Sequence, residues 1–118
     1  IGAGETRFSL DLNPEFDDGD GKIHSGLMTI ILDSIFGITV LTALEALQPI
    51  ATINLRTDFL GDAGIGARAV CDAKCVAIRN DVATVRGALT READGALLAS
   101  AAGAFMVGTR GATKASRL

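Results

Sequence analysis

Residues 23–47 read IHSGLMTIILDSIFGITVLTALEAL, and this stretch decides the fold. Leu27, Ile31, Ile35, Ile38 and Leu41 recur at steps of three and four without a proline, which is helical spacing. Met28, Ile30, Leu32, Phe36, Val40 and Leu44 fill the other faces. The spacing predicts a helix that starts at Ser25 or Gly26, runs to Leu47 and is closed by Pro49. A helix apolar nearly all round is buried, in a protein core or in a membrane. After Ser25 its only charged residues are Glu45, near the end, and Asp33, inside the apolar run. Burying a polar group without a partner costs about 2–7 kcal/mol, and an ionised carboxylate costs more. Three readings of Asp33 follow. It is a structural carboxylate bonded by backbone, Ser34 or Thr29. It is a residue of a membrane helix, where an acid near the centre costs about 2.5–3.5 kcal/mol. Or it is a catalytic carboxylate held in a dry pocket.

The chain around this stretch has the composition of one folded domain spanning 1–118. It has 118 residues, 48% of them hydrophobic and 21% charged, enough to bury a real core. A net charge of −3 and the absence of Trp and Tyr argue against a nucleic-acid partner. The chain begins without Met, and no basic-then-apolar leader is visible at its start. Cys71 and Cys75 lie four apart on a predicted strand, about 13 Å between Cα atoms, which is too far for a disulfide. Free thiols suit a cytoplasmic location. One His and no Cys-x-x-Cys leave no metal site to predict.

Alternation marks the strands. Phe8, Leu10 and Leu12 alternate with polar residues over 6–12. Residues 13–22 form an acidic loop with Pro14, Gly19 and Gly21. After Pro49 the clearest strand runs over 51–59, with Ala51, Ile53, Leu55, Thr57 and Phe59 on one face and Thr52, Asn54, Arg56 and Asp58 on the other. Three more follow at 67–78, 82–91 and 96–107, joined by turns at Arg79-Asn80-Asp81 and Ala93-Asp94-Gly95. The tail from Gly108 is expected to fray. One strand, one long helix and four strands predict an α+β domain, a five-stranded largely antiparallel sheet packed against the helix. The many Ala and Gly on the strands let sheet and helix lie close.

His24-Ser25-Gly26, preceded by Gly21 and followed nine positions after the His by Asp33 inside the helix, resembles the motif of hotdog-fold thioesterases of the phenylacetate-pathway, PaaI-like type. That pattern is roughly N-x-x-G-x-x-H-G-G with a later Asp. Gly21, His24, Gly26 and Asp33 match, whereas Asp18 stands in place of the Asn and Ser25 in place of the first Gly after His. The resemblance extends over about 18–107. It implies a hotdog fold, with the sheet wrapped around the helix, and acyl-CoA thioesterase activity at a site shared across a homodimer, with a dimer of dimers as an extension. It assigns Asp33 as general base or nucleophile, and the amides of Ser25 and Gly26 as the donors that polarise the thioester carbonyl. Thr52 matches a Ser or Thr that helps hold the water, and Asp18 matches the Asn that contacts the reacting group. His24, the only histidine, orders the loop by hydrogen bonds, with a direct general-base role as the alternative. No cofactor is implied, since coenzyme A is part of the substrate.

The residues themselves support parts of this chemistry. A helix start carries unsatisfied N–H groups and a positive dipole end, suited to a developing oxyanion. Ser25 and Asp33 are eight residues apart, about 12 Å along a helix, so one carbonyl does not easily touch both. Two antiparallel copies bring one helix start near the other's Asp33, which motivates a homodimer. Arg56 and Arg79, with Arg110 and Lys114, are candidates for the phosphates of coenzyme A, and solvated surface charge is the alternative for each. Two other functions stand beside hydrolysis: a non-catalytic acyl-CoA binding protein, and a hotdog 3-hydroxyacyl thioester dehydratase, whose usual FPGHP-like loop is absent here.

Overall fold

A computed structural model describes residues 2–12, 19, 25–44, 46–61 and 66–108. Strand β1 (Glu5–Asp11) is followed by helix α1 (Ser25–Ala43) and then by β2 (Ile50–Phe59), β3 (Arg68–Arg79), β4 (Val82–Arg91) and β5 (Leu97–Val107). The strands form one sheet in the order β1-β3-β4-β5-β2, and every neighbouring pair is antiparallel. Each strand lies within one residue of the span predicted from alternation. Asn80 and Asp81, both with positive φ (52° and 63°), make the two-residue turn between β3 and β4. The expected frayed tail beyond Gly108 lies outside the described residues.

The helix packs on one face of the sheet through Met28, Leu32, Ile35, Phe36, Thr39 and Val40, all buried. The sheet offers small residues beneath it, with Ala69, Ala73, Ala83, Ala99 and Ala101 buried. Helix and sheet approach closely at Gly87 on β4. A Cβ built there would lie 2.5 and 2.8 Å from ring atoms of Phe36, so the ring rests on bare backbone. Thr39, fully buried, is satisfied twice: it donates to the Ile35 carbonyl (2.8 Å) and shares a 2.7 Å bond with the Thr6 hydroxyl.

Two expectations about the helix need correction. It ends at Ala43, four residues short of Leu47. Thr42 turns its hydroxyl onto the Thr39 carbonyl (2.7 Å), and the Leu44 amide bonds Leu41, three residues back (3.3 Å). That tightened last turn ends the α-helix before Pro49 is reached, and Leu47 stands 85% exposed. The helix is also not buried all round. Ile30 and Ile38 are 64% and 43% exposed, and with Gly26, Ser34 and Thr42 they form an open stripe at steps of four. By length and composition α1 is able to cross a membrane, but six of its residues seat in the hollow of the sheet.

Both cysteines are free. Burial pushes the Cys71 thiol up to about 12, helped by the neighbouring Asp72 charge, and burial also raises Cys75. Burial of this kind holds Cys71 as the unreactive thiol. One inward group lacks a partner among the described residues: the Thr57 hydroxyl on β2 is buried and unbonded. Leaving a buried hydroxyl unsatisfied costs about 1–3 kcal/mol. Thr57→Val, nearly isosteric, is therefore expected to raise stability by about 1–2 kcal/mol in urea denaturation; a loss of stability would show that the hydroxyl has a partner in solution.

Candidate active site

Asp33 projects from the middle of α1 toward β2, and its Oδ1 accepts a 2.7 Å hydrogen bond from the Thr52 hydroxyl. The other candidate partners are engaged elsewhere. Ser34 donates to the Ile30 carbonyl (3.1 Å) and Thr29 to that of Ser25 (3.0 Å), each to its own helix one turn back. The carboxylate is thus held by a residue nineteen positions away in sequence, on the edge strand.

Strict alternation places Thr52 with Arg56 and Asp58, away from the helix. The register explains how it reaches Asp33 instead. Thr52 pairs with Phe105, Asn54 with Ala104, and Ile53 has no counterpart on β5. A one-residue bulge at Ile53 therefore reverses the pleat. Thr52 shares its face with the buried Phe105, on the helix side, while Arg56 faces outward with the exposed Ala102. Ile53 itself is 49% exposed. A second bulge, at Val76 on β3, similarly turns Ala77 away and brings Ile78 opposite the buried Ala83.

The pocket is not dry within one chain. Asp33 is half-buried and Thr52 exposed, because the open stripe of α1 and the outer edge of β2 leave that side uncovered. The helix start lies at the other end of the site. Ser25 and Gly26 are exposed, and no acidic side chain sits in the first turn to offset the positive dipole end. Eight residues of helix separate Ser25 from Asp33, about 12 Å. The structure brings Asp33 and Thr52 together and holds Ser25 and Gly26 apart from them. His24 and Asp18 lie outside the described residues, as do Arg110 and Lys114.

Arg56 and Arg79 are not near Asp33. Arg56 is on the sheet face opposite α1, 3.6 Å from Asp58. Arg79, at the end of β3, is level with Val82 and the exposed Met106, on the same outer face. Among the described residues no group of three or more His, Cys, Asp or Glu gathers as a metal site.

Residues 20–98 match the family model described as the thioesterase superfamily. No curated protein sequence matches the chain. Among solved structures, a hypothetical thioesterase from Streptococcus pneumoniae with coenzyme A superposes with a TM-score of 0.83 at 15% identity, covering 91% of this chain and 80% of that one. Thioesterase superfamily member 2 from zebra fish gives 0.83 at 18% identity, covering 92% and 77%. An Asn-to-Asp variant of the phenylacetic acid degradation protein PaaI from Thermus thermophilus gives 0.78 at 25% identity, covering 90% and 87%. The sheet order and single helix are those of the hotdog fold these proteins share.

Proposed function

The chain belongs to the thioesterase superfamily, and from that premise we propose that it hydrolyses an acyl-CoA thioester at Asp33. The observation that carries this reading is the 2.7 Å bond from Thr52 to Asp33. It aims a carboxylate from an apolar helix into an open site and leaves one oxygen for a further donor. A similar structure holding coenzyme A supports the substrate class.

In the proposed reaction Asp33 takes a proton from water, and the water oxygen bonds to the thioester carbonyl carbon. The oxyanion that develops is held by backbone amides at a helix start, those of Ser25 and Gly26. The C–S bond then breaks, and the thiolate leaves with its electron pair and takes up the proton, giving a carboxylic acid and the free thiol of coenzyme A. Direct attack by Asp33, through an anhydride that water cleaves, uses the same two ends of the site.

Those two ends belong to different copies in this account. β2 is an edge strand of ten residues, its outer side unpaired among the described residues, with Ile53 and Phe59 exposed. Such an edge is a template for another strand. β2 runs antiparallel to α1: Thr52 bonds Asp33, and a Cβ at Gly37 would touch Ile50. Its far end therefore lies toward the helix start. Antiparallel pairing of β2 with a second β2 sets the start of one helix beside the other copy's Asp33 and covers the exposed Ile30 and Ile38. Free thiols fit a reducing location such as the cytoplasm.

The test is thiol release from a panel of aryl and fatty acyl-CoAs. Wild type is expected to turn over at least one of them. Thr52→Val is expected to lower kcat about tenfold, the equivalent of about 1–1.5 kcal/mol for one lost hydrogen bond to the base. A Thr52→Val protein with unchanged kcat would remove the pair from the mechanism.

A further inference from the structure

Gly37, inside α1, is a glycine that the packing of this chain does not require. Its φ lies outside the left-handed region, and glycine inside a helix is less favourable than alanine. Elsewhere in the core a bare backbone has a steric reason. A Cβ at Gly87 would run into the Phe36 ring, and one at Gly103 would lie 3.2–3.3 Å from the Asn54 carbonyl, Leu55 and Phe105. At Gly37 a Cβ would meet Ile50 Cδ1 at 3.4 Å, an ordinary contact with the end of a flexible side chain. Among the described residues beyond the helix itself it would meet no second atom within 4 Å. A methyl group therefore fits where none is present.

The place of this gap points to its occupant. Asp33, Gly37 and Leu41 follow at steps of four on α1, and this side faces β2: Asp33 bonds Thr52, and Gly37 faces Ile50. Ile38, on the stripe assigned above to a second copy, points about 100° away. Side chains on a helix lean toward its start, so a residue at 37 covers the turn that carries Asp33. With no side chain there, the carboxylate borders open space. Ile50 across the gap and Leu41 one turn further on are apolar and half-buried. We propose that this gap receives the acyl group of the thioester, and that Gly37 sets its width. The occupant rests on the reading of Asp33 as the hydrolytic carboxylate. The amides and phosphates of coenzyme A need hydrogen-bonding partners that Ile50 and Leu41 do not offer, whereas a hydrocarbon needs none. The substrate class is therefore an apolar acyl group longer than acetyl. It lies over the bare backbone of Gly37 and is bounded by Leu41, about 12 Å along the helix from Asp33.

Hydrolysis of acetyl-CoA and hexanoyl-CoA by wild type, Gly37→Ala and Gly37→Val tests it, with urea midpoints and sedimentation velocity on the same samples. Gly37→Ala is expected to raise the urea midpoint and keep the particle mass. Gly37→Val is expected to lower kcat/KM for hexanoyl-CoA about tenfold more than for acetyl-CoA, the scale on which an apolar pocket discriminates by size. Gly37→Ala is expected to fall between it and wild type. A lowered midpoint in Gly37→Ala, equal losses on both thioesters, or a lighter particle in either variant overturns the proposal; the last would assign Gly37 to a contact between copies. Calorimetry separates this inference from the hydrolytic reading. If wild type binds both thioesters without turnover, hydrolysis at Asp33 fails. The gap then still requires Gly37→Val to raise Kd for hexanoyl-CoA about tenfold more than for acetyl-CoA, and an unchanged ratio of the two Kd values overturns it.

Discussion

Replacing Asp33 by Asn is expected to lower kcat for thioester hydrolysis by about 10²–10⁴, the contribution of a positioned general base. The substitution is chosen to leave geometry in place. An amide oxygen accepts the Thr52 hydroxyl as a carboxylate oxygen does, so the 2.7 Å bond across α1 and β2 has a ready replacement. What Asn lacks is basicity, and nucleophilicity with it. The loss is therefore expected in kcat rather than in binding of coenzyme A thioesters, and in activity rather than in stability. The contrast with Thr52→Val tests the proposed division of roles, an orienting hydroxyl and a reacting carboxylate, and the ratio between the two losses is expected to be at least about tenfold. If Asp33 were only a structural carboxylate, Asp33→Asn would alter the urea midpoint and leave turnover per folded chain unchanged.

The largest expected loss of stability is at Phe36. Its side chain is fully buried and rests on Gly87, where no side chain exists to move into a void. Phe→Ala in a core costs about 3–5 kcal/mol, and more where the site does not collapse. Phe36→Ala is accordingly expected at the upper end of that range, read as a lowered urea midpoint at fixed protein concentration. Gly87→Ala attacks the same contact from the other side. The added methyl meets the ring at 2.5 Å and the Asp72 carbonyl at 3.0 Å, an overpacking worth about 1–3 kcal/mol. Because the ring is part of that clash, the double variant is expected to lose less than the sum of the singles, as contacting residues do. Additive losses would mean that the ring does not lie on Gly87.

The elements were legible in the sequence because each keeps its period over most of its length, although one-residue bulges interrupt β2 and β3. The helix face of β5, for example, is read from Ala99, Ala101 and Phe105, all buried as alternation demands. The end of α1 was not legible, since the apolar spacing continues to Leu47 while the α-helix ends at Ala43. The face of Thr52 is more telling. Alternation groups it with Arg56, and only the resemblance to PaaI-like thioesterases set it beside Asp33. The structure brings the two together through the bulge at Ile53. Nothing in ATINL marks that bulge; it is fixed by how β2 pairs with β5. The same parity sends Arg56 and Arg79 to the outer face, where charge alone had suggested phosphate contacts. The all-round apolar character of α1 also carried more than one chain displays. Ile30 and Ile38 are exposed here, and covering them takes a second copy in the account given above.

The central claim is hydrolysis at Asp33, and one experiment addresses it most directly. Thiol release from an acyl-CoA panel is followed for wild type and Asp33→Asn side by side, with binding of the same thioesters measured by calorimetry on the same samples. The account predicts turnover by wild type, loss of that turnover in Asp33→Asn, and similar binding by both. Binding without turnover by wild type would contradict it and make the chain an acyl-CoA binding protein.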